Sequence, residues 1–153
     1  MAVLNEPLIY RNMKYGVKVD RPTATLPQTT AAAIFTVAGG QVAITKIIGE
    51  VTTIMQTQAN NTKLTANPTT GTSVDICAVL DTTADEAGCL YGITGLNSDA
   101  LIGINAGALP SQTRDVIVPE GTIDLDCAAS NTGSVKWTIF YVPIDAGASV
   151  VAA

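Results

Sequence analysis

The side chains with most scope for chemistry here are carboxylates and thiols, because the chain has no histidine. Without an imidazole there is no Ser-His or Cys-His nucleophile pair and no ordinary general base near neutral pH. Most zinc sites are also excluded. Cys77, Cys89 and Cys127 follow one another at spacings of 12 and 38 residues, which match no common zinc module. Asp81, Asp85 and Glu86 crowd one short segment and could offer hard oxygens to calcium. They lack the alternate-residue ligand spacing and central glycine of an EF-hand, so a solvated polar loop is the reading they support. Asp124 and Asp126 stand two apart in an alternating run and would share one strand face, with Lys136 across the following turn as an ion-pair partner. Gly92-Ile-Thr-Gly95 and Gly103-Ile-Asn-Ala-Gly107 have neither Walker nor dinucleotide spacing, and no lysine follows to meet a phosphate. The expectation is a protein with no catalytic residue, no metal and no cofactor, hence not an enzyme.

The elements that must position these residues read as strands. Gly121-Thr-Ile-Asp-Leu-Asp-Cys127 alternates strictly, Ser130-Asn-Thr-Gly133 has turn composition, and Val135 to Val142 is β-branched and aromatic. This pattern predicts an antiparallel hairpin. Ile123, Leu125, Val135, Trp137, Ile139 and Tyr141 are its inward residues, and Cys127, in phase with Ile123 and Leu125, is a small buried hydrophobe. Ala31 to Val37 reads as a strand that leaves through Gly39-Gly40. Gln41 to Gln58 is a long β-branched run with Val42, Ile44, Lys46 and Ile48 in one phase and Val51 and Met55 in the other. The change of phase predicts a bulge or bend at Gly49. Further strands fall at Thr62–Ala66, Val74–Leu80, Cys89–Ile93 and Asp115–Pro119. Short strands with turn signals at intervals of roughly ten residues indicate an all-β, single-domain antiparallel β-barrel or jelly-roll sandwich, and leave barrel and sandwich open.

Residues 1–22 read as an extended N-terminal arm and residues 23–153 as the β domain. Leu4, Leu8, Ile9 and Tyr10 are apolar without a clear period, and Pro7 argues against an early helix. Arg21-Pro22 and Leu26-Pro27 favour extended backbone, and Gly16 to Asp20 reads as a first short strand. An apolar arm packs on its own domain or reaches a neighbour, so Leu4, Leu8, Ile9 and Tyr10 are the candidate partner-binding residues. Only 14% of residues are charged, against roughly 25% in an average soluble protein. That suits either a small neutral β domain or a subunit whose outside is covered by neighbours. The net charge is −5, and the densest cations, Arg11, Lys14, Lys18 and Arg21, are thinly spread, which argues against nucleic-acid binding. Ala31 to Gly49 is apolar but too interrupted to span a membrane as a helix. Met1 to Pro7 lacks the basic start and apolar core of a signal peptide, so synthesis in a cytoplasm is expected and the acceptor pattern Asn60-Asn61-Thr62 carries little weight.

One resemblance runs through nearly all of residues 19–153. It is carried by Val19-Asp-Arg-Pro-Thr-Ala-Thr-Leu-Pro-Gln28, by Ala33-Ile-Phe-Thr-Val-Ala-Gly-Gly-Gln-Val-Ala-Ile-Thr-Lys-Ile-Ile-Gly-Glu-Val-Thr-Thr53 and by Asn67-Pro-Thr-Thr-Gly-Thr72. Asp85-Glu-Ala-Gly88, Leu90-Tyr-Gly-Ile-Thr-Gly95 and the run from Gly121 to Trp137 continue it. These segments resemble small proteins encoded among the virion genes of tailed bacteriophages. The resemblance implies a capsid cement, or decoration, protein: a β-barrel or jelly-roll homotrimer on the outside of the virion that bridges major capsid protein subunits. It implies neither a nucleic-acid nor a membrane partner. No motif transfers residue by residue, so only the role is carried over. The alternatives are a tail or head-fibre component, a carbohydrate-binding β-sandwich, which would need exposed aromatic platforms, and a hydrolase, which the lack of histidine disfavours.

Overall fold

A computed structural model describes residues 6–105 and 107–153. Helix α1 (Glu6–Tyr15) leads into β1 (Val17–Thr25), β2 (Ala31–Ala38), β3 (Val42–Thr53) and β4 (Asn61–Pro68). Five short strands follow: β5 (Val74–Asp75), β6 (Leu80–Asp81), β7 (Leu90–Gly92), β8 (Ile102–Ile104) and β9 (Val116–Val118). The chain closes with β10 (Gly121–Cys127), β11 (Ser134–Pro143) and β12 (Ser149–Ala152). Two antiparallel sheets result. The first runs β1-β11-β3-β7-β8 with β9 also on β3; the second runs β12-β2-β10-β4-β5 with β6 also on β4. The all-β class holds, and the architecture is a sandwich-like pair of sheets, not a closed barrel.

Alternation places the core. Val135, Trp137, Ile139 and Tyr141 of β11 face Ile123, Leu125 and Cys127 of β10, and all seven are buried. Tyr91 of β7 stacks on Trp137 with ring centroids 6.2 Å apart. The adjacent buried pair Ile34 and Phe35 breaks strict alternation in β2, where the register against β10 slips so that Ile34 has no partner.

Four sequence expectations need correction. First, β10 and β11 do not form a hairpin. They lie in opposite sheets, joined by an arch of residues 128–133. Asn60 and Asn131 hold that arch: Ala129 N–H donates to Asn60 Oδ1 (3.0 Å), while Gln56 and Gly133 N–H both donate to Asn131 Oδ1 (2.9 Å each). These bonds satisfy the arch backbone with the segment before β4, so the strands need not pair with each other. Second, the register of β3 against β11 shifts at Thr45 and at Thr52, and not at Gly49. Tyr141 pairs with Ile44 and Phe140 with Lys46, and the buried phase passes from Val42 and Ile44 to Ile47, Gly49 and Val51. Third, Val74–Leu80 is not one strand. β5 and β6 each pair with β4, and between them Leu64 N–H donates to the Cys77 sulfur at 3.3 Å. Fourth, the arm is not extended throughout. Glu6–Tyr15 is helical, and β1 pairs with β11 from Val17, inside the residues read as arm. Pro7 falls in the first helical turn, where its missing N–H has no intrahelical partner to lose.

Candidate functional site

Two of the carboxylates singled out by their spacing, Asp81 and Asp85, are occupied in holding loops. Asp81 Oδ1 accepts from Asn60 N–H (2.9 Å), Thr83 N–H (3.1 Å) and the Thr83 hydroxyl (2.6 Å), and these bonds, that from the Thr83 hydroxyl foremost, hold its carboxyl below the usual range. Asp85 accepts the buried Tyr91 hydroxyl at 2.6 Å. Burial first, and the bond to Asp85 second, push that phenol well above its ordinary value. Asp124 and Asp126 share the outer face of the second sheet, whereas Lys136 belongs to the first sheet and pairs with Glu50 at 3.0 Å. Among the described residues no three His, Cys, Asp or Glu side chains converge on a metal-sized site. All three cysteines are free and buried. Asn60 of the glycosylation pattern is fully buried in the arch contact. Trp137, Tyr91 and Tyr141 are buried too, which leaves Tyr10 as the exposed aromatic among the described residues.

The candidate partner-binding residues stand apart from this. Leu4 lies outside the described residues. Leu8, Ile9 and Tyr10 sit on α1 and are exposed, Tyr10 to 69%. Sequence reasoning missed Met13, which is 79% exposed. At 3.6 residues per turn, Ile9, Tyr10 and Met13 fall within an arc of about 100°, while Leu8 shares a face with Tyr15. The signal was present: Ile9 and Met13 are four apart, and Gly16 follows the last turn as a stop residue.

The helix is anchored at its C-terminal end. Gly16 takes a left-handed backbone (φ 88°), and its N–H donates to the Asn12 carbonyl at 2.9 Å, an αL cap. A side chain there would run into the Tyr141 carbonyl. The Tyr15 ring packs on Phe140 with centroids 5.5 Å apart, and the Thr45 hydroxyl at the bulge donates to the Tyr15 carbonyl. The Lys46 and Lys14 ammoniums lie 4.8 Å and 5.0 Å from the centre of the same ring. Lys14 above all, then Lys46, hold the Tyr15 phenol below its ordinary value. The bulge at Thr45, four residues from the position expected, thus supplies the bond that seats the helix.

A second apolar feature opens where the sheets part. A cleft of about 410 Å³ is lined by Ala66, Pro68, Val74 and Ile76 from the second sheet and its surroundings, by Val116, Ile117 and Pro119 from the first, and by Leu96. Val74 and Ile117 are 56% and 53% exposed there. No helix among the described residues is long and apolar enough to cross a membrane. No family model matches the chain, and no curated protein or solved structure is significantly similar to it.

Proposed function

We propose that this chain is a structural protein of a bacteriophage virion. On this reading it binds the outside of the capsid as a homotrimer and reinforces the shell by bridging major capsid protein subunits. The observation that carries the reading is α1: a helix seated firmly at Tyr15 while Ile9, Tyr10 and Met13 stay in solvent. Exposed large apolar residues gathered on one helix face suit contact with another protein better than isolation in water. The resemblance across residues 19–153, the scarcity of charge, and the three buried thiols support the same role. α1 is then the element that joins each subunit to its neighbours on the shell. A cement protein that binds the assembled lattice in preference to free capsid subunits stabilises the lattice by mass action. Several weak contacts on one oligomer hold far longer than each would alone.

The test is co-sedimentation of the purified protein with capsids of the parent phage that lack both this protein and tails. Saturable binding is expected. Binding to purified tails and not to such capsids would replace the cement role with a tail role.

A further inference from the structure

We infer that the Ile9, Tyr10 and Met13 face of α1 docks in the inter-sheet cleft of a second copy of this chain. The inference deepens the proposed function and rests on its reading of α1 as an intersubunit contact. Among the described residues both surfaces are apolar and unpartnered within one molecule: Met13 and Tyr10 on the helix, Val74 and Ile117 at the cleft. No side chain of α1 lines the cleft of its own chain. The cleft volume of about 410 Å³ has room for roughly two large side chains and lies within the usual range of pocket sizes. Its walls are unfinished as well, since among the described residues β5 pairs only with β4 and β9 only with β3.

Charge selects the occupant. Residues 1–21 hold four cations against Glu6 and Asp20, a net +2, whereas residues 22–153 hold four cations against eleven carboxylates, a net −7. Arg11 and Lys14 lie on the helix itself. Asp75 lines the cleft, paired with Lys63 at 2.8 Å, and Glu120 follows the cleft residue Pro119 in sequence. A basic helix with an apolar face therefore meets its best complement in the acidic body of another copy. The two surfaces differ, so the contact is head-to-tail and closes into a ring when its rotation permits.

Light scattering on the full chain, joined to cysteine crosslinking, tests this. The wild type is expected at a multiple of the 15.7 kDa chain mass, and Met13→Asp and Val74→Asp, both at exposed positions, are each expected to run as folded monomers. Tyr10→Cys protein mixed with Val74→Cys protein is expected to form a disulfide-linked pair under mild oxidation, beyond what either forms alone. A monomeric wild type, or an oligomer that survives both substitutions without the crosslink, would overturn the interface. An oligomer that obeys these substitutions yet binds no capsid would support the interface and remove the cement role. Capsid binding by a monomer would retain that role and overturn the interface.

Discussion

Trp137 of β11 lies over Gly49 of β3, its register partner. A Cβ built on Gly49 would come within 2.8 Å of the indole Cζ3 and 2.9 Å of Cη2. The glycine is there to admit an indole, not to bend the strand. Gly49→Ala is expected to destabilise the fold by about 1–3 kcal/mol through overpacking. Trp137→Ala should cost about 3–5 kcal/mol. Adding Gly49→Ala to Trp137→Ala should then cost far less than it does in the wild type. Urea unfolding followed by circular dichroism measures all three, and strict additivity would contradict the contact.

The arch between the sheets depends on two buried amides, Asn60 and Asn131. Asn131→Ala leaves the N–H groups of Gln56 and Gly133 without their acceptor, at a cost of about 1–3 kcal/mol for the buried Gly133 donor and less for that of exposed Gln56. A midpoint of urea unfolding equal to that of the wild type would show that the arch finds other partners.

The thiols set an alkaline limit. Burial pushes Cys77 and Cys89 up to about 11 and raises Cys127 as well. The folded chain keeps protons that the unfolded chain releases above the ordinary thiol value of 9.0. Stability from this source is complete below pH 9 and falls as pH rises from 9 towards 11. Tyr91, raised mainly by burial, adds to the fall at still higher pH. Unfolding curves taken across this range check the sign. Thiol reagents at mildly alkaline pH should label the native chain slowly and all three cysteines once it is unfolded.

Substitution on the exposed helix should separate assembly from stability. Met13→Asp is expected to change the unfolding free energy of the monomer by no more than about 0.5 kcal/mol, because the side chain is 79% exposed in its own chain. Tyr15→Ala should instead loosen α1 by removing its contact with Phe140 and both lysines. Amide exchange in residues 8–14, compared with the Val74→Asp monomer, reads this directly, with faster exchange expected for Tyr15→Ala and no change for Met13→Asp.

Which residues point inward was legible because alternation is a property of each strand alone. Ile123, Leu125, Val135, Trp137, Ile139 and Tyr141 are all buried. Which strands pair was not, because the choice between hairpin and arch rests on Asn60 and Asn131 bonding to backbone far away in sequence. Val74–Leu80 reads locally as one strand, but the chain leaves β4 between β5 and β6, and Val74 is exposed. The same break opens the cleft, so the cleft could not be read from local pattern. For α1 the difficulty was Pro7, which stops a helix from within and is tolerated in the first turn.

The most direct test of the cement role is the temperature at which capsids lacking the protein rupture, with and without added wild-type chain. A rise with the wild type and a much smaller one with Met13→Asp, at equal folded concentrations, is the expected result. No rise with a saturating amount of correctly folded wild type would contradict the account.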